Sequence, residues 1–181
     1  MVGHQDEADE DPTDEPWVLM ALKVGLAMAI ADLLGRTTGF DDHSVAVIAT
    51  IFVAGQPPAT SIGKGLRRWL AGMGGVAAGA LAAYGALRFA LSPIWPFLLL
   101  GLAAGATRTL SIDYLYAAVI GAVAVFAVQA GVAGGGSEGR SDLLAITWQI
   151  AWQKGVLVTI GFAVGPAVVV AVTHAWKAVR E

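Results

Sequence analysis

The chain has 181 residues, of which 56% are hydrophobic and 14% are charged, and it contains no cysteine. This balance excludes a disordered chain, a disulfide-stapled domain and an ordinary soluble domain. The charge is spread unevenly, because residues 1–16 hold seven of the 14 acidic side chains. Removing them changes the formal net charge from −3 to about +4. The sequence therefore predicts an acidic, disordered tail over 1–16 and an apolar, mildly basic body.

The body predicts six membrane-spanning helices. A hydrocarbon core about 30 Å thick needs roughly 17–25 helical residues to cross it, and stretches of about this length with little or no charge recur along the chain. In chain order they are 17–35, 43–62, 69–87, 91–108, 114–134 and 154–174, and a short tail follows at 177–181. A soluble helical domain would need polar helix faces, which these stretches lack. The predicted fold is an all-α bundle of six transmembrane helices over 17–176, with the lipid bilayer as its partner.

The loops between these spans are short, and basic residues near the span ends favour both termini in the cytoplasm. The segment 143–153, with Trp148 and Trp152, is amphipathic enough to lie in the membrane interface before the last span. Trp69 and other tryptophans fall at span ends, which is typical of the aromatic belt of membrane proteins.

The two halves of the chain share a pattern of spacing. Arg68 is followed by Gly75 and Gly79 at the same intervals at which Lys154 is followed by Gly161 and Gly165. Residues 46–56 also resemble 118–129 with one insertion, and 24–27 resemble 100–103. Three spans per unit is an odd number, so a duplicated unit would be inserted upside down, as in many secondary transporters. Apolar sequence also gives such matches by chance, and both interpretations stay open here.

Glycines form small-residue faces on two of the predicted spans. One face holds Gly72, Gly75 and Gly79, and the other holds Gly161 and Gly165. Such faces let helix backbones approach closely inside a membrane, where the hydrophobic effect does not drive association between helices. The pattern predicts helix packing, either within one subunit or between two.

The second span contains the sequence Gln56-Pro57-Pro58. Two prolines in a row end or break a helix, and non-helical backbone at membrane depth is tolerated only beside protein or a water-filled cavity. The motif therefore predicts a substrate-binding break next to a polar amide. The alternative is that span two is short and reaches the surface at this point.

Charged residues near the spans are candidates for function, because such charges are costly in lipid. Asp32 precedes Arg36 by four residues, which suits an ion pair on one helix face; the other interpretation makes Asp32 a proton acceptor in a transport cycle. Arg68 and Lys154 each precede an uncharged run. They either extend to the membrane interface or attract an organic anion into the bundle.

Enzyme motifs are absent from the sequence. It has no cysteine, no histidine pair at metal-ligand spacing, no nucleophile elbow and no phosphate-binding glycine loop. We therefore expect no catalytic residue, no metal, no cofactor and no nucleic-acid partner.

The region 43–84 resembles the fusaric acid resistance (FUSC-like) family of aromatic acid exporters. The similarity lies in the order of its features: an apolar stretch from His43 that ends in Gln56-Pro57, a short basic loop, then Arg68 followed by a glycine-rich span. Residues 114–129 are similar to the fifth span of that family. The chain departs from the family at Ser44, where members usually carry an aromatic residue, and it lacks the large second region common in them.

The resemblance implies a six-span unit of the cell inner membrane that exports small aromatic or other organic acids. It also implies proton coupling and assembly as a homodimer or higher homo-oligomer. The second hypothesis is a non-transporting membrane scaffold or subunit that acts through the glycine faces and the acidic tail. A membrane enzyme is a distant third.

Overall fold

The computed structural model describes residues 16–40, 43–54, 62–105, 112–134 and 142–180. Within these ranges the predicted all-α class is confirmed, because all regular structure is helical. The six helices are α1 (Trp17–Thr37), α2 (Ser44–Ala54), α3 (Ile62–Arg88), α4 (Trp95–Gly105), α5 (Ile112–Gly134) and α6 (Leu143–Arg180). The acidic tail lies outside the described residues.

Four of the six helices, α1, α3, α5 and α6, are long and apolar enough to cross a membrane. Helix α2 is apolar but has only 11 described residues, and α4 also has 11. The lengths and composition of the four longer helices indicate an integral membrane protein.

Helix α6 begins at Leu143, eleven residues before the predicted span at 154. The segment 143–153 is thus continuous with the last span, because neither glycine nor proline interrupts it. At 38 residues α6 is about 57 Å long, nearly twice the thickness of a hydrocarbon core. Helix α4 begins later than predicted, at Trp95, where Pro96 sits in the first turn that tolerates proline.

The glycine face of α3 packs against α5. A Cβ atom added to Gly75 would collide with the carbonyl oxygen of Ala117, and one added to Gly79 would collide with that of Gly121. The residue numbers rise together on both helices, so α3 and α5 run parallel. Contact this close between backbones requires glycine on α3.

The glycine face of α6 packs against α2 in the same way. A Cβ atom on Gly161 would collide with the carbonyl oxygen of Ala46, and one on Gly165 would lie 3.2 Å from Cβ of Val53. Both predicted faces therefore join helices within one chain. The contacts also pair each half with the other, since α3 packs on α5 and α6 packs on α2.

Helices α3 and α6 cross each other antiparallel. Trp69 Nε1 donates a hydrogen bond to Thr159 Oγ1 at 3.1 Å, and a Cβ atom on Gly155 would lie 3.1 Å from Cε of Met73. When Arg68 is aligned with Lys154, Trp69 aligns with Gly155 and Met73 aligns with Thr159. The Trp69–Thr159 contact and the Met73–Gly155 contact therefore join equivalent positions of the two halves.

One contact between α3 and α6 joins two positions that are equivalent to each other in this alignment. Gly72 aligns with Val158, and a Cβ atom on Gly72 would lie 2.9 Å from Cγ1 of Val158. We use the term axis for the approximate two-fold axis that passes between these two residues. Most helix neighbours obey the same rule, because α1 packs on α2 and α6 while α4 packs on α5 and α3. The α5–α6 contact is the exception, since α2 and α3 do not pack together to a similar extent among the described residues. Most of the described helix contacts thus follow the pattern expected of two inverted three-helix units.

The structural equivalence of α2 and α5 differs by one residue from the sequence alignment. Gly75 meets Ala117 while Gly161 meets Ala46, so Ala46 corresponds to Ala117 and not to Ala118. A neighbouring pair agrees with this register: Thr50 lies against Gly161, and its equivalent Gly121 lies against Gly75.

The parallel register of α2 and α6 can be tested with an engineered disulfide. In this cysteine-free chain, Val53→Cys with Gly165→Cys is expected to cross-link on mild oxidation, because the two Cβ positions are 3.2 Å apart, close to the span of a disulfide. Peptide mass spectrometry would detect the bond. The control pair is Ile51→Cys with Gly165→Cys, since residue 51 lies about 160° around α2 from residue 53. Equal cross-linking of both pairs would contradict the register.

Candidate functional site

Polar side chains gather around the axis. Arg68 and Lys154 each precede an axis residue by four positions on their own helices, so each lies about 6 Å along its helix from the axis, on opposite sides. The helices α2 and α5 start close by, as Ala46 in the first turn of α2 packs on Gly161 and Ala117 in the second turn of α5 packs on Gly75. The inverted arrangement therefore places the predicted residues Arg68 and Lys154 on opposite sides of the axis, about 12 Å apart along the helix direction.

The first ion pair lies where α5 begins. Asp113 has one carboxylate oxygen 3.6 Å from Arg68 Nε and the other 3.3 Å from Arg67 Nε. The side chains of Asp113 and Arg68 are 19% and 18% exposed, whereas that of Arg67 is 67% exposed. Two guanidinium groups thus share one carboxylate, which leaves a net positive charge at this point and favours an anion.

Tyr116 places its hydroxyl group against the axis. A Cβ atom on Gly72 would lie 2.7 Å from this hydroxyl, and the Tyr116 ring lies 5.1 Å from the Phe52 ring of α2, centroid to centroid. The residue is 2% exposed, and its hydroxyl has no hydrogen-bond partner among the described residues. A buried unpaired hydroxyl costs free energy, on the order of 1–3 kcal/mol, unless a ligand or water satisfies it.

Thr50 supplies a second buried hydroxyl near the axis. Its Oγ1 lies 2.7 Å from the carbonyl oxygen of Ala46 and 3.2 Å from that of Gly161. The shorter contact is the usual back-bond of threonine within a helix, and the longer one ties α2 to α6.

Lys154 lies on the buried face of α6 together with Leu157 and Val158, and it is only 5% exposed. It is therefore not at the surface of the described structure, where extension toward a membrane interface would place it. A buried ammonium group among apolar helices is costly and is retained for a specific interaction.

Asp32 lies farther from the axis, near the end of α1. Its carboxylate accepts a hydrogen bond from Arg36 Nε at 2.8 Å, so the predicted ion pair within the helix is formed. Its other oxygen lies 2.9 Å from His43 Nε2, at the start of α2. The carboxylate is 33% exposed, and it links the α1–α2 hairpin.

A separate groove lies between α3 and α6 and has a volume of about 500 Å³. Its wall is mostly aromatic and aliphatic, and it includes Trp69, Met73, Trp148, Trp152 and Thr159. Arg68 and Lys154 are not among its lining residues. Charge and apolar volume are thus on different faces of the α3–α6 pair.

Three residues of the axis region were not predicted from the sequence, namely Thr50, Asp113 and Tyr116. Asp113 had a signal, because it is an acid at the very start of an uncharged run. The predicted Gln56-Pro57-Pro58 site lies outside the described residues. Among those that are described, no group of three or more His, Asp or Glu side chains could hold a metal ion.

Comparisons of the chain with protein-family models, curated proteins and solved structures found no match.

Proposed function

We propose that the chain is a transporter of small organic acids, with aromatic acids as the first class to test. The observation that carries this proposal is the inverted two-fold arrangement with Arg68, Asp113, Tyr116 and Lys154 around its axis. Transporters built from inverted repeats bind their substrates at the interface between the repeats. Ionisable residues buried in a membrane bundle commonly mark the substrate path.

The substrate carboxylate would bind at Arg68. Because Arg67 and Arg68 share Asp113 alone among the described acids near them, a second carboxylate fits the charge of this point. The Tyr116 hydroxyl is a donor on the same helix as Asp113, about one turn away. This hydroxyl group has no hydrogen-bond partner in the described structure, and it would donate a hydrogen bond to a bound anion.

Alternating access would follow from rocking of the two triplets against each other. Small residues at the α3–α5 and α2–α6 contacts hold each triplet to the other, and α3 crosses α6 at the Gly72–Val158 pair, with the Trp69–Thr159 and Met73–Gly155 contacts on either side. Export, coupling to protons through Asp32, assembly as a homo-oligomer and a cell inner membrane location with both termini in the cytoplasm complete the proposal. They rest on the FUSC-like resemblance and the distribution of basic residues.

Flux measurements on the purified full chain test this function. Proteoliposomes are expected to accumulate radiolabelled benzoate or another acid of a broad aromatic panel, driven by a pH gradient. Arg68→Gln is expected to lower this flux about tenfold or more, because it removes a charge-assisted contact with the carboxylate. Gln56→Ala is expected to lower it too.

Arg88→Gln is the matched control, since Arg88 ends α3 far from the axis. Asp32→Asn is expected to keep acid exchange at zero gradient but to lose acceleration by the gradient. Absence of flux for every acid in the panel, with folded protein in the vesicles, would contradict the proposal.

A non-transporting scaffold is the other hypothesis. It relies on glycine faces that are free to bind a partner, but Gly75, Gly79, Gly161 and Gly165 contact helices of their own chain. Scaffolding through these faces therefore loses support, whereas the acidic tail, the other part of that hypothesis, lies outside the described residues.

A further inference from the structure

Three tryptophans converge on the groove between α3 and α6. Trp69 comes from α3, while Trp148 and Trp152 lie one turn apart on α6. Two of them are largely uncovered in the chain, with Trp148 74% and Trp152 66% exposed. A membrane belt explains tryptophans at one depth, but it does not explain why side chains 79 or more positions apart in the sequence line one cavity.

Two polar side chains of the groove, Trp69 and Thr159, are hydrogen-bonded within the wall. The Trp69 indole N–H donates to Thr159 Oγ1, and the Thr159 hydroxyl donates to the carbonyl oxygen of Gly155 at 2.9 Å. No charged side chain lines the described wall. A charged ligand would therefore lose its hydration there without a compensating contact, whereas an uncharged one would not.

The shape and chemistry of the wall select the occupant further. A volume of about 500 Å³ falls within the range of small-molecule pockets. Gly155 forms part of the floor, and the only described side-chain atoms that a Cβ there would approach belong to the end of the flexible Met73 side chain. Indole rings and a thioether make edge and face contacts that favour an aromatic ring over a saturated chain.

We propose that the α3–α6 groove binds small uncharged aromatic molecules that enter from the bilayer. This inference goes beyond the transport of acids at the axis, because the groove and the charged residues lie on different faces of the helix pair. It does not need transport to occur.

Equilibrium dialysis of radiolabelled naphthalene against the full chain in lipid nanodiscs tests the groove, with empty nanodiscs subtracted. We expect saturable binding that unlabelled naphthalene displaces. Decalin, which has the same carbon skeleton without aromatic rings, is expected to compete at least about tenfold less well. The anion 2-naphthoate is also expected to be a poor competitor.

Two variants with matched controls locate the site. Gly155→Leu fills the floor and is expected to weaken binding about tenfold or more, whereas Gly85→Leu on α3, with no described atom near its Cβ position, is expected to have no effect. Trp152→Ala is expected to weaken binding several-fold by removing an exposed ring. Trp17→Ala removes a tryptophan outside the groove that is also largely exposed, at 80%, and serves as its control.

Trp152→Ala keeps the test valid even if Gly155→Leu does not fold, since Trp152 is largely exposed. Equal competition by decalin would overturn the proposal and assign the groove to acyl chains. Absence of saturable binding would also overturn it, and so would equal weakening by the variants and their controls. Failure of acid flux with intact naphthalene binding would refute the proposed function alone.

Discussion

Gly75→Val is expected to prevent the chain from folding normally or to lower its stability by ~3 kcal/mol or more. The reason is the contact of Gly75 with α5, where a Cβ atom would collide with the carbonyl oxygen, carbonyl carbon and Cα of Ala117. These are backbone atoms, so a side chain cannot rotate to make room. Helices α3 and α5 would have to separate, and α5 would lose the contacts that bury Tyr116 and Ile120.

The control is one residue away. A Cβ atom on Gly74 has no described atom within 4 Å, and valine there carries the same helix-propensity change as valine at position 75. Heating the detergent-solubilised protein and following the folded peak by size-exclusion chromatography would compare the two variants. Gly161→Val is expected to behave like Gly75→Val, because it meets α2 as Gly75 meets α5. Similar stability of Gly74→Val and Gly75→Val would contradict the close α3–α5 contact.

Asp113→Asn is expected to lower stability by about 2–3 kcal/mol, because Arg68 would remain mostly buried without its carboxylate. The exposed Arg67 contributes little to this loss, since exposed ion pairs are worth at most about 1 kcal/mol. The same chromatographic melting curve measures the change.

A double-mutant cycle separates the ion pair from other effects of the substitution. Adding Arg68→Gln to Asp113→Asn is expected to restore part of the lost stability, because no unpaired charge is then left at the site. Asp32→Asn is the comparison for an exposed pair, and its loss is expected to stay below about 1 kcal/mol because Arg36 is 64% exposed. Additive losses for Asp113 and Arg68 would show that the two residues do not interact.

The helical class, and a membrane-spanning length for four of the described helices, could be predicted because a membrane span needs a minimum run of uncharged residues, and such runs are visible in the sequence. Helix ends were less predictable. One face of the extra turns of α6 packs on α5, where Ile146 and Ile150 lie against Gly131. Those contacts join residues that are distant in sequence.

The spacing of Gly75 and Gly79 predicted the close helix contact, because close backbone contact allows few residues other than glycine. The alignment of 46–56 with 118–129 slipped by one position because alternating alanine and valine fit several registers equally well. The contacts of Gly75 and Gly161 define the register, and these are visible only in three dimensions.

The axis residues were predictable only in part. Arg68 and Lys154 were recognisable because charge is rare in such a body. Tyr116 was not, because a tyrosine near the start of an apolar run is typical of a membrane interface, and its burial against Gly72 is a tertiary contact. The groove was missed for the same reason, since each of its tryptophans matched the aromatic belt when taken singly.

The glycine–valine pair on the axis makes the two halves complementary instead of interchangeable. In a dimer of identical three-helix units, the residue on a two-fold axis would face its own copy. Two amino-terminal halves would bring Gly72 against Gly72 and leave a gap, whereas two carboxyl-terminal halves would bring Val158 against Val158 in a space that fits one valine. Each half therefore fits the other better than it fits itself, and covalent linkage in one chain supplies the two unlike halves in equal number.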